Sequence, residues 1–174
     1  MKKLIVLMTV ALLAAPSALQ AQTDSAPTDP QIAMIAVTAD TVDIDAGKLA
    51  QDKASNPKVK EFAKLMVRDH TSVNKQATDL AKKLNLTPEE SDTSRSLKSN
   101  GDSNLEKLRG MSGADFDKAY VDNEISYHEA VLKAVDDTLI PNAKNAELKS
   151  LLQGARPIFE SHLTHAKEVQ STLQ

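Results

Sequence analysis

From residue 30 onward, apolar side chains recur every three or four positions in four separate stretches, the spacing of one buried face of an α-helix. In the second stretch the stripe is Val59, Phe62, Met66, His70, Val73, Ala77, Leu80 and Leu84. In the third it is Val121, Ile125, His128, Leu132, Val135 and Leu139, and in the fourth Leu148, Leu151, Ala155, Ile158, His162, Ala166, Val169 and Leu173. The first is less regular, carried by Ile35, Val42 and Leu49. Helix punctuation sets the bounds. Asp29-Pro30 supplies an N-cap with Pro at the first helical position and predicts a helix over 30–54; Asn56-Pro57 repeats the signal and opens a second, to about 84. Ser112-Gly113-Ala114-Asp115 resembles a capping box and opens a third over 113–139, which Pro141-Asn142 should stop. A fourth starts near 143, and Pro157 is expected to kink it by removing a backbone bond.

The connections separate the helices into two tight pairs, joined by one long crossover over 85–112. Thr87-Pro88-Glu89-Glu90 and Ser103-Asn104-Leu105-Glu106 both read as helix starts, so two short helices are expected inside it. Four long helices connected in this way predict an all-α, ferritin-like four-helix bundle over 30–174 with a long crossover between its second and third helices.

The N-terminus has a separate role. Lys2 and Lys3 precede the apolar run Leu4 to Ala15 and then Pro16, Ser17 and small residues, the pattern of a secretory signal peptide over 1–21. Twelve apolar residues are well short of the ~20 that a membrane-spanning helix needs, and no later segment is apolar enough to span. A periplasmic or secreted protein is expected, with a disordered leader over 22–29. Removing 1–21 takes two lysines and no acid, which leaves 19 basic against 24 acidic side chains. That mildly acidic balance argues against a nucleic-acid partner, which would require a basic face. The chain has no Cys and only 3% aromatic residues, so disulfide scaffolds, thiol nucleophiles, zinc ribbons and iron–sulfur clusters are excluded. Nor does any nucleophile motif, phosphate loop or dinucleotide fingerprint occur.

What chemistry remains is carried by histidines and carboxylates. His70, His128 and His162 each stand in an apolar stripe, on three different helices. Counted from helix ends at about 1.5 Å per residue, the ferritin-like connectivity brings Asp43, His70, Glu124, His128 and His162 within about one helical turn of a common height. Plain up-down-up-down order would carry His162 a turn or more above Asp43 and His70. Imidazoles and carboxylates converging from facing helices are what a bundle-core metal site requires. One transition-metal ion, Zn, Fe or Cu, held by His70, Glu124, His128 and His162 with Asp43 as a further member, is the leading expectation, with metal handling or envelope stress protection as the role. Asp69 is expected either in a surface ion pair with a lysine or accepting a ring N–H from a histidine of another helix. Tyr120 lies one turn before Glu124 and reads first as an ordinary core residue, second as a hydrogen-bond partner of Glu124; His165 sits on the flank of its stripe and is expected to be exposed. The competing reading is a non-catalytic envelope protein that binds an unknown protein partner or self-associates through its charged outer faces, such as Lys58, Lys60, Glu61, Lys64 and Arg68. In that case the buried histidines only set helix register.

Three segments bear a family resemblance: Val59-x-x-Phe62-Ala63-x-x-Met66-Val67-x-Asp69-His70-Thr71; Phe116-Asp117-x-x-Tyr120-Val121 with His128 following; and Pro157 leading to His162-Leu163. Over 30–172 the chain resembles the bacterial exported domain of unknown function 4142 family, a ferritin-like group. The resemblance implies that fold and a periplasmic address but no established activity. In that family an acidic residue, commonly Glu, precedes the Gly-Lys-Leu-Ala segment of the first helix. Asp43 takes its place here, ahead of Gly47-Lys48-Leu49-Ala50. Di-iron bundles place Glu three residues before each of two ligand histidines, whereas this chain has Val67 before His70 and Phe159 before His162. The sequence therefore leans away from an enzyme of the di-iron type and toward a single ion with a His-rich shell.

Overall fold

The structure, a computed structural model, describes residues 26–173; the expected signal peptide and residues 22–25 of the leader lie outside the described residues. All regular elements among the described residues are helical: α1 (Asp29–Lys53), α2 (Pro57–Lys83), α3 (Asp92–Arg109), α4 (Gly113–Ala134), a π-helical segment (Val135–Leu139), α5 (Ile140–Asn142) and α6 (Ala146–Ser171). No helix among the described residues is long and apolar enough to cross a membrane.

The first cap differs from expectation by one residue. Thr28, rather than Asp29, caps α1, because its hydroxyl accepts from Gln31 N while the Gln31 side chain accepts from Thr28 N, a closed capping box. Asp29 is thereby freed to bridge the chain. Its carboxylate accepts from Lys144 N at 2.8 Å and Asn145 N at 2.9 Å, pinning the α5–α6 turn to the start of α1. At the opposite end, buried Asp117 on α4 accepts from Ser55 N at 2.9 Å and Asn56 N at 2.8 Å, which pins the start of α4 to the α1–α2 turn. With both ends tied in this way, α4 must run parallel to α2 and antiparallel to α1 and α6. The connectivity is that of the ferritin-like bundle.

The crossover corrects one prediction. In place of two short helices it holds one long helix, α3, which lies along α1. Ser91 starts it through a reciprocal capping box with Ser94, so the expected start at 87–90 falls in the segment before the helix and the one at 103–106 falls inside it. Leu97, Leu105 and Leu108 form one apolar stripe that docks the helix. Gly101 lets it approach α1 so closely that an added Cβ would stand 2.7 Å from a Val42 methyl.

One further boundary differs, and one expected cap bond is missing. Helical structure continues through Pro141 to Asn142 rather than stopping at 139, and the wider π turn just ahead of the proline accommodates its missing N–H. Ser112 makes no side-chain cap bond at the start of α4, despite its capping-box pattern. On α6, Leu152 and Phe159 are buried where Leu151 and Ile158 were expected, one position round the helix. α6 itself runs unbroken through exposed Pro157.

The end of the bundle near the α1–α2 turn, taken as its lower end, is closed by large side chains: Phe62, Met66, Leu108, Phe116, Tyr120 and Val121 are all fully buried. Gly47 brings α1 onto α2, and a Cβ there would stand 2.8 Å from Val67 Cγ2. The upper end is filled by aliphatic residues, Ile32, Ile35, Val135, Leu139, Leu148 and Leu152. Between the two lies a layer of buried ionisable groups.

Candidate metal centre

That layer contains all five residues singled out from the sequence, Asp43, His70, Glu124, His128 and His162, each no more than 2% exposed. It also contains Asp40, equally buried and not anticipated. α1 contributes Asp40 and Asp43, α2 His70, α4 Glu124 and His128, and α6 His162. Each residue sits where the apolar repeat of its helix turns inward, so the same periodicity that buries Met66 and Val73 also buries His70 between them.

Each ring has one nitrogen held by a different partner. His70 Nδ1 donates to Asp40 Oδ1 at 2.8 Å. His128 Nδ1 donates to the backbone carbonyl of Glu124, one turn earlier on its own helix, at 2.9 Å. His162 Nε2 donates to Asp69 Oδ2 at 3.1 Å, and Asp69 also takes the exposed Arg68 guanidinium. Of the two roles expected for Asp69, accepting from a histidine on another helix is the one seen; its surface partner is arginine rather than lysine.

The remaining nitrogens converge. His70 Nε2 lies 3.4 Å from His128 Nε2, and Asp43 Oδ2 lies 3.2 Å from the first and 3.5 Å from the second. Buried His162 Nδ1 and both Asp43 oxygens have no hydrogen-bond partner. One nitrogen from each of the three histidines lies within 4.8 Å of the others, as do ligand atoms of Asp43, Glu124 and His128. Phe159 stacks flat on His70, with ring centroids 5.2 Å apart; it stands three residues before His162, the sequence position at which a di-iron bundle carries Glu. Tyr120 is fully buried with its hydroxyl unpartnered, a residue of the packed core rather than a partner of Glu124. His165 packs edge-on against Phe62, away from the cluster.

Burial and neighbouring charge set the protonation states. Burial pushes His128 down to about 3, helped by the charge on His70, and pushes His162 down to about 4 against the pull of Asp69. Both rings are thus neutral at pH 7. Since each uses one nitrogen as a donor, the other carries a free lone pair. Burial also lowers His70, but the carboxylates of Asp43 and Asp40 outweigh it and raise this ring. Burial raises Asp43 to about 6, and burial together with the charge of Asp43 holds Glu124 well above the usual carboxylate range. Ionisation of Glu124 is therefore disfavoured beside Asp43.

The family model described as "Domain of unknown function (DUF4142)" matches residues 14–169. Among solved structures, "CopM in the Cu(II)-bound form" superposes with a TM-score of 0.67 at 16% sequence identity, covering 86% of this chain and 99% of that one. At that identity the likeness speaks to fold. No curated protein matches the sequence.

Proposed function

The chain belongs to the DUF4142 family, and we propose that it holds one transition-metal ion, copper foremost, among His70, His128, His162 and Asp43, with Glu124 against Asp43, for metal handling in the cell envelope. One observation carries this reading: one nitrogen from each of the three buried histidines lies within 4.8 Å of the others, an Asp43 oxygen lies 3.2 and 3.5 Å from two of them, and one nitrogen of every ring is fixed elsewhere. Holding the outer nitrogen is how proteins orient imidazole ligands. The spacing also fits. A tetrahedron with metal–ligand bonds of about 2.0–2.1 Å has edges of about 3.3 Å, and the His70, His128 and Asp43 atoms lie 3.2–3.5 Å apart. The orphaned Asp43 oxygens and His162 Nδ1 are groups whose burial is costly unless something pairs with them.

Neutral imidazoles with one or two carboxylates suit Cu, Zn and Fe. Copper is preferred because the structural neighbour is described with Cu(II) bound. The reading is storage, buffering or transfer of the ion.

The test is elemental analysis of mature, untagged protein purified from the periplasm, together with its melting temperature as Cu(II), Zn(II) or Fe(II) is added. About one equivalent of metal and a saturable rise in Tm are expected. Trace metal and an unchanged Tm would overturn the proposal and leave a polar layer that sets helix register.

A further inference from the structure

The side chains proposed to hold the ion are each no more than 2% exposed, so an ion can reach them only when a neighbouring side chain moves aside. A cleft of about 1090 Å³, lined by residues of α1, α2, α3, α4 and α6, ends one side chain short of them. Of the buried ionisable layer only Asp40 lines this cleft, while Tyr127 and Phe159 line it and also touch the histidine rings. The Phe159 ring lies 5.2 Å from His70, 6.4 Å from His128 and 6.5 Å from His162, centroid to centroid, so one side chain separates the cleft from all three histidines.

The three side chains at this inner end are not equally free. Asp40 is held by His70 at 2.8 Å, and the Tyr127 hydroxyl donates to Ala39 O at 2.9 Å. Phe159 has no polar group to anchor it, and the cleft it borders is walled by Ala39, Ala77, Ala130, Ala134 and Ala155, small side chains that leave room for the ring to turn outward. The backbone that carries the ring is also loosened. Pro157 stands inside α6 without an N–H, which leaves the Gln153 carbonyl without its helical partner. Gly154 follows it at a position where an added Cβ would meet nothing within 4 Å, so packing does not require a glycine there, and glycine is the most flexible residue a helix can hold. An ion with about six waters of about 30 Å³ each fills only a small part of the cleft. Arg95, the one basic side chain in its lining, is paired with Asp92 and Glu90.

We propose that Phe159 is the gate of the metal centre: its ring, carried on the loosened turn of α6, swings into the cleft to admit or release the ion and closes back onto His70. The gate rests on the metal-binding reading above. A group that only covers a site changes the rates of entry and exit together and leaves affinity nearly unchanged, whereas loss of a ligand, or of a group that orients one, weakens affinity.

Entry is measured by stopped-flow mixing of mature, metal-stripped protein with Cu(II), followed by quenching of tyrosine fluorescence, and exit by transfer of bound Cu(II) to excess EDTA. Phe159→Ala should speed both by about tenfold or more, with one equivalent still bound and Kd within about threefold of the parent. The double variant Gly154→Ala, Pro157→Ala, which restores regular helix at two exposed positions, should slow both by about threefold or more. Phe62→Ala loosens the lower core instead and should leave both rates within about twofold of the parent. Should Phe159→Ala fail to fold, the double variant decides. No uptake of Cu(II) by the parent would overturn the metal reading itself and the gate with it. With uptake intact, rates unchanged in Phe159→Ala or in the double variant, equal acceleration by Phe62→Ala, or a loss of affinity in place of a change in rates would overturn the gate alone.

Discussion

The lower core and the histidine layer are buried to the same depth by the same helices, yet they are built from opposite chemistry. Phe62, Met66, Phe116 and Tyr120 exclude water with large side chains in mutual contact. One to two turns higher, Asp40, Asp43, His70, Glu124, His128 and His162 place six ionisable groups in an equally dry environment. The first arrangement stabilises by removing apolar surface from water. The second pays for desolvation, visible in the downward shifts of His128 and His162 and the upward shifts of Asp43 and Glu124. What the contrast teaches is a division of labour: the packed end holds the helices in place, and the layer can then keep groups that contribute little to folding.

This comparison can be broken by mutation. Phe62→Ala removes a fully buried ring from the packed end and should cost about 3–5 kcal/mol, lowering Tm by roughly 10 °C in thermal unfolding while leaving metal stoichiometry unchanged below the transition. His128→Ala should cost less, about 1–3 kcal/mol, yet abolish the metal-induced rise in Tm. If the two variants lost equal stability, or if His128→Ala bound metal as tightly as the parent, the division of labour would fail.

A finer test concerns helix approach. Gly47→Ala should destabilise by about 1 kcal/mol in urea unfolding, because crowding of Val67 outweighs the better helix propensity of alanine. The last effect has the opposite sign. Glu124 is raised in the folded protein, so the unfolded chain releases its proton first as pH rises and stability is lost above the unfolded value of about 4.5. Glu124→Gln keeps the shape without that ionisation. The metal-free variant should therefore be more stable than the parent at pH 7, with the difference vanishing as pH falls below about 4.5. A difference that grew toward acid pH in urea titrations would reverse the sign and refute the upward shift of Glu124 in the folded protein.

The sequence made the bundle legible because its helices are punctuated by Pro and Asn caps and because α2 alternates cleanly between a buried and a solvated face. It was less informative wherever a helix has more than one partner. α1 packs against α2, α3 and α4, so its buried positions spread round the helix and the stripe Ile35, Val42, Leu49 did not mark its inner face. Asp43 is in fact at the centre of the layer, and Asp40, one turn earlier, went unnoticed. On α6, adjacent apolar pairs such as Leu151-Leu152 and Ile158-Phe159 satisfy the period equally well, and only packing selects the second of each. The crossover helix is serine-rich and a poor helix former by propensity; docking of its leucines on α1 decides its state. The converging histidines were visible as polar residues at core positions. The partners that aim their rings, apart from Asp69, lie across helices or on the backbone, where spacing carries no signal.

The central claim, one ion between three histidines in the bundle core, is tested most directly by crystallising the mature protein after loading with Cu(II) and locating copper by anomalous scattering. The account predicts one dominant peak within about 2.0–2.1 Å of nitrogens from His70, His128 and His162, with Asp43 beside it. Copper confined to surface carboxylates or to His165, with the layer holding no peak, would contradict it.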